Sequence, residues 1–333
     1  MHRLIPYLKP QYLLRLNDPT RTFAEVPLDI MPYCFGPVYF DMPPLDDLLR
    51  FRIVVCTCAD AGMLISAGAS NQSLREFLLH KGLITEGEQR RSHWTHLLID
   101  EAAQAIEPET DIPLLCILEE TETPPQIVLC GDHQQLGPRT FLPELQMSFL
   151  ERLITTEPLY RDHPQSRKFA KPKGGTKDQA KKSKDTAYLE KTIPCFANLV
   201  QNYRCHPKML MMPSAMFYND TLVASAEADK INSMLGCPIL PNPDCPIAFI
   251  GVNGVDASQI DEAVSWYNNE EAEKVATTIE SLFALSKKEG DPFKVEMSHV
   301  GVIAPFREQV KVLRQMLRSR GYAGVNVGTV EVC

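Results

Sequence analysis

The stretch "LLIDEAAQAIEPET" (residues 97–110) runs an apolar segment straight into two adjacent carboxylates, Asp100 and Glu101, followed by two alanines and a glutamine. A short aliphatic run of this kind reads as a buried strand, and its acidic end then faces the crevice where ligands of open α/β sheets sit. A carboxylate there suits Mg²⁺ beside phosphate, and its neighbour suits activation of a water. The bland alternative is a solvated acidic pair that starts a helix, with Asp100 at the N-cap. The first reading requires a phosphate-cradling loop upstream.

Further apolar runs rich in Val, Ile and Leu lie on either side: "RIVVCTC" (52–58), "QIVLCGD" (126–132), "IAFIGV" (247–252), "HVGVIAPF" (299–306) and "VNVGTV" (325–330). Their shortness and lack of polar alternation predict parallel strands buried on both faces. Helical periodicity covers 270–287 and 306–320, the second with Val310, Leu313 and Leu317 on one face. Strands alternating with helices imply βαβ units and a doubly wound α/β fold. Residues 161–191 differ, with ten Lys/Arg against four Asp/Glu and almost no aliphatic side chains. Such a segment buries too little apolar surface to offset its ordering entropy, so a linker or insertion is expected at 159–194. The resulting division is an opening stretch at 1–50, a first α/β part at 51–158 and a second at 195–333.

The 333 residues, 44% of them hydrophobic, suffice for two cores, and the net charge of −8 gives no overall footprint for nucleic acid. The ten cysteines never form Cys-x-x-Cys, which disfavours a zinc site or disulfide framework and fits a reducing compartment. No apolar run reaches membrane-spanning length, so no membrane partner is expected.

Two further segments bear on the acidic pair. After the strand at 126, "CGDHQQLGPRT" (130–140) places Asp132 and Gln135 at a second strand end, where an amide can report a γ-phosphate. The plain alternative is a polar turn closed by Gly137-Pro138. In "LVQNYRCHPKMLMMPSAMFYND" (199–220), Arg204 has the chemistry of an arginine finger and Tyr203 that of a base-stacking ring. His206 reads as a buried, hydrogen-bonded structural histidine rather than a catalytic one, and Met209, Met211, Met212 and Met216 read as core.

In order along the chain, "DEAAQ", "GDHQQLGP", "NYRCHP", "GVIAPFREQV" and "VNVGTVEV" resemble motifs II to IV, the stretch before motif V, and the start of motif V of superfamily 1 helicases. The similar branch comprises RNA helicases of nonsense-mediated decay and of small-RNA silencing, including the Armitage type. "RIVVCTCADAGML" resembles the family's motif Ic. The resemblance implies two RecA-like P-loop NTPase domains, both incomplete here, that use ATP and Mg²⁺ to move along single-stranded RNA. It makes Asp100 the Mg²⁺ carboxylate and Glu101 the residue that activates water. Gln104 and Gln135 would couple the γ-phosphate to domain closure, Tyr203 would stack on adenine, and Arg204 would reach the γ-phosphate. Thr57 and Thr329 would contact the nucleic-acid backbone. Silencing or decay ribonucleoprotein factors are the implied partners, and the cytoplasm is the implied location.

The sequence departs from the family pattern in one central respect. The family's Gly-x-x-x-x-Gly-Lys-Ser/Thr phosphate loop does not occur, nor does any Gly-Lys dipeptide; "KGGTKDQ" (173–179) has the wrong spacing and follows no strand. Motif VI is also missing. The expectation is therefore a portion of a larger active helicase, itself without measurable RNA-stimulated ATP hydrolysis. A superfamily 1 DNA helicase and an inactive RNA-binding scaffold are the competing readings.

Overall fold

The computed structural model describes residues 1–88, 91–119, 123–163, 196–257, 265–286 and 293–330. Most of the basic stretch at 159–194 lies outside the described residues. Those that are described divide into two compact units, within residues 1–197 and 198–330.

The first unit begins with β1 (Leu13–Arg15), then α1 (Leu45–Leu48), β2 (Ile53–Val55), α2 (Ala61–Ser66) and α3 (Asn71–His80). It continues with β3 (His96–Ile99), α4 (Glu107–Ile117), β4 (Gln126–Leu129), α5 (Phe149–Thr156) and α6 (Pro158–Arg161). β1 pairs with β2 in parallel, Leu13 opposite Ile53, and β3 pairs with β4 in parallel, His96 opposite Gln126. Leu14, Leu16, Leu48, Leu64, Ala69 and Cys116 form one buried cluster; Ile99, Ala102, Ala103 and Leu150 form another. Ser70 and Ser148 cap α3 and α5 through their hydroxyls, satisfying amides that a helix start leaves open. A buried Asn71 side chain holds three strands of backbone together. Its Nδ2 donates to the carbonyls of Trp94 (2.8 Å) and Ile117 (2.6 Å), and its Oδ1 accepts from the Trp94 amide (2.9 Å).

The second unit opens with β5 (Gln201–Asn202), α7 (Pro207–Phe217), β6 (Val223–Ala224) and α8 (Ala228–Ile231). It then has β7 (Asp256–Ala257), β8 (Tyr267–Asn268), α9 (Asn269–Ser286), β9 (Gly301–Ile303), α10 (Arg307–Ser319) and β10 (Asn326–Gly328). β5–β6 and β9–β10 are parallel, and β7–β8 is antiparallel. The main core packs Ala272, Ala276, Ile279 and Phe283 of α9 against Val310, Leu313 and Leu317 of α10 and the strands β9–β10. Gln309 and Asn268 lock this arrangement, Gln309 Oε1 accepting from the Asn268 amide and its Nε2 donating to the Asn268 carbonyl.

The α/β class and parallel pairing agree with the expectation from sequence, and so do both helices. Three details differ. Each sheet has two strands among the described residues, rather than forming one doubly wound layer. The strands of the β3–β4 pair are not buried on both faces: Leu98 is 70% exposed, and Ile127 and Val128 are exposed as well. "IAFIGV" forms no strand; among the described residues it has no ladder partner, and Phe249 is 95% exposed. The first and third have one reason. An apolar run specifies a surface that should be covered, but a strand exists only where a second backbone supplies hydrogen bonds. Among the described residues, no helix is long and apolar enough to cross a membrane.

Candidate functional site

The register of β3 against β4 makes both strands end at the same level, Ile99 opposite Leu129. The ladder continues one step further, the Cys130 amide donating to the Ile99 carbonyl and the Ala102 amide to the Cys130 carbonyl, both at 2.8 Å. One edge of a parallel pair therefore carries Asp100, Glu101 and Gln104 after β3, and Asp132 and Gln135 after β4.

Between these bonds the chain turns sharply. Glu101 has φ of +52°, in the left-handed region that costs a non-glycine residue roughly 1–2 kcal/mol. The turn is held in place from below by Gly131. A Cβ there would lie 3.0 Å from the amide nitrogens of Ala102 and Ala103 and 2.8 Å from Leu150 Cδ2, so only glycine lets the two backbones approach. Ala102 and Ala103 are buried beneath the turn, which leaves Asp100, Glu101 and Gln104 facing solvent. Asp100 does not cap a helix: α4 starts at Glu107 with Ile106 at its N-cap, and residues 101–104 form turns. The helix-start reading of the acidic pair is thereby corrected, because the backbone reverses at Glu101 instead of entering α4.

Local bonds orient the side chains. Asp100 Oδ1 accepts from the Glu101 amide (3.1 Å), and Gln104 Nε2 donates to Glu101 Oε2 (3.3 Å). Gln135 Nε2 donates to Asp132 Oδ2 (2.8 Å), while Asp132 Oδ1 accepts from the Gln134 amide (3.0 Å). Among the described residues no three His, Cys, Asp or Glu side chains gather to hold a metal by themselves; Mg²⁺, which keeps several waters, would need only one or two of these carboxylates beside substrate phosphates. α4 is anchored beside the site by Arg152 of α5, whose guanidinium grips Glu107 through Nε (2.9 Å) and Nη2 (2.6 Å).

Thr57 lies just past β2, exposed, its Oγ1 accepting from the Asp60 amide (3.0 Å). In the second unit, Asn202 Oδ1 accepts from the amides of Arg204 (2.9 Å) and Cys205 (2.8 Å), an Asx turn that presents Tyr203 and Arg204 outward. Tyr203 is 70% exposed and its hydroxyl bonds to Gln201. His206 is a structural group, its Nδ1 accepting from the Lys208 amide at the start of α7, though it is half-buried rather than buried. Thr329 follows β10 directly. The four methionines expected in the core are instead exposed on α7. Met packs wherever a neighbour lies, and spacing alone does not say whether one does.

Two positioning residues escaped the reading of the sequence. Gly131 carries a visible signal, a glycine at the end of an apolar run, which marks close backbone approach. Asn202 carries one too, an Asx residue two places before the turn it closes.

Residues 86–142 and 185–333 each match an AAA domain family. The chain is similar to the human RNA helicase Mov10l1, 32% identical over 330 residues, covering 97% of this chain and 23% of that protein. The mouse RNA helicase Mov10l1 is 32% identical over 329 residues, with coverage of 97% and 23%. The Gallus gallus protein MOV-10 is 28% identical over 333 residues, covering 96% of this chain and 30% of its own length. The chain thus spans roughly a quarter of the length of these relatives.

Proposed function

Since this chain belongs to the Mov10-like superfamily 1 helicases, we propose that it forms part of an ATP-dependent RNA helicase that steps along single-stranded RNA in silencing or surveillance. The observation that carries the reading is the shared end of β3 and β4, which sets Asp100, Glu101, Gln104 and Gln135 on one edge over a glycine-enforced turn. The two units take the role of RecA-like domains. Asp100 would hold Mg²⁺, which would supply positive charge against the β- and γ-phosphates. Glu101 orients the attacking water and takes its proton, its Oε2 accepting from Gln104 Nε2 at 3.3 Å. Gln135, tied to Asp132, and Gln104, tied to Glu101, sense the γ-phosphate and pass its presence to domain closure. Tyr203 is the residue that stacks on adenine and Arg204 the cation for the γ-phosphate. Thr57 and Thr329 touch the RNA backbone, which gives grip without sequence choice. Decay or silencing ribonucleoproteins are the partners, and the cytoplasm is the location.

The test joins this chain to the phosphate-loop segment of a Mov10-type relative and measures RNA-stimulated phosphate release. Glu101→Gln is expected to lower the rate by about 10²–10⁴-fold, the usual worth of a general base, with RNA affinity unchanged. A Glu101→Gln protein as fast as its parent overturns the assignment.

A further inference from the structure

At the carboxyl edge of β1–β2, two arginines converge on one buried amide. Asn17 is 2% exposed, and its Oδ1 accepts from Arg15 Nε (3.3 Å) and Arg21 Nη1 (3.5 Å). The amide is itself held from behind, its Nδ2 donating to Cys34 Sγ (3.2 Å) and the Arg15 carbonyl (3.4 Å). Arg15 is pinned at its backbone as well, opposite Val55 in β2 and bridged to Cys34 on its other side. Two cations are thus gathered around one neutral oxygen, where an anion would relieve their mutual repulsion.

No ion pair is formed by either guanidinium among the described residues. The acidic groups nearby are engaged elsewhere. Asp18 Oδ1 takes the amide and hydroxyl of Thr20, and Glu25 Oε2 takes the amide (2.7 Å) and hydroxyl (2.9 Å) of Thr22, although Arg21 adds a weaker pull on it. Asp60 and Arg15 act on the same Cys56 thiol in opposite directions, yet among the described residues the Asp60 carboxylate makes no ion pair with Arg15. Each arginine therefore keeps N–H donors in the planar fork that suits phosphate oxygens.

Placement supplies the second line of argument. β1 and β2 are parallel and in register, so the segments that follow Arg15 and Val55 leave the same edge. Thr57 lies two residues past Val55, and Asn17 two past Arg15. An RNA strand held at Thr57 would pass the arginine fork next.

We propose that Arg15 and Arg21, gathered on Asn17 beside Thr57, bind a backbone phosphate of single-stranded RNA. This rests on the RNA reading above, and the experiment separates the two. The 333-residue chain is titrated against a fluorescent oligouridylate at two salt concentrations. Arg15→Gln/Arg21→Gln is expected to bind at least tenfold more weakly, with a log–log salt slope flatter by about 1, near the value for one to two neutralised single-strand phosphates. In parallel, phenylglyoxal modification is mapped by mass spectrometry on the unaltered chain; RNA is expected to protect Arg15 and Arg21 but not Arg50. If the parent chain shows no RNA binding, the RNA reading and this proposal fall together. If the double variant binds as the parent does while Thr57→Val weakens binding, only the proposal falls. Where the double variant melts early, the protection pattern decides: unprotected arginines overturn the proposal. Equal protection by inorganic phosphate alone reassigns the fork to free phosphate and overturns the RNA assignment.

Discussion

Within the second unit, two regions of similar apolar content have very different packing. Residues 265–286 and 293–330 bury one cluster in which α9, α10 and the β9–β10 pair cover one another. Residues 198–257 bury little beyond Leu210, Ser214 and Cys237, and leave Met211, Met212, Phe217 and Phe249 exposed. The difference lies in what each element meets. α10 offers a narrow stripe, Val310, Leu313 and Leu317, and α9 offers a matching one; two stripes close a core. α7 has apolar residues around much of its circumference, so one neighbour cannot cover them. Hydrophobicity sets how much surface wants cover, and complementarity sets how much receives it.

The sharpest way to break that comparison is a pair of truncations followed by urea denaturation. Leu313→Ala, in the closed core at 2% exposure, is expected to cost about 2–5 kcal/mol. Met212→Ala, on the open face of α7, is expected to stay within about 0.5 kcal/mol. Equal losses would mean that the α7 face is covered in solution. Because the chain has two units, fluorescence and circular dichroism should both be followed, since one transition is not assured.

A polar counterpart tests the first unit. Asn71→Ala removes one acceptor and two donors from buried backbone, so a loss of about 2–3 kcal/mol is expected by the same measurement. A loss below about 0.5 kcal/mol would show that the clamp on Trp94 and Ile117 is dispensable.

An effect absent at neutral pH concerns thiols. Burial pushes Cys56 up to about 12 and Cys116 up to about 11 from an ordinary value of 9.0. Both stay neutral in the folded chain when they would ionise in the unfolded one. Their contribution is therefore full below pH 9 and declines between 9 and their raised values, by about 1.4 kcal/mol per pH unit per thiol at most. Iodoacetamide at pH 8 should label the exposed Cys130 and spare Cys56 and Cys116. Rapid labelling of all three would open the first-unit core to question.

The acidic pair shows how legible the candidate site was. The order of "DEAAQ" and "GDHQQLGP" was enough to place Asp100, Glu101, Gln104, Asp132 and Gln135 at strand ends, because short aliphatic runs ending in polar residues have few other forms. The left-handed Glu101 was not legible, since a glutamate carries no local preference for positive φ; the close approach of Gly131 accompanies it. Likewise, nothing in the spacing of Arg15, Asn17 and Arg21 announces that they share one oxygen. That depends on Cys34, which the chain brings back 17 residues later to hold the amide.

The sequence by itself determined the α/β class, the principal strand ends, the stripe on α10 and the family, because these follow from local periodicity and from side-chain chemistry in a fixed order. Only the tertiary structure decided which apolar runs became strands, which faces were covered, where the backbone turned left-handed and where cations met. Each of these requires a partner from elsewhere in the chain, and local sequence does not specify which distant backbone will supply it.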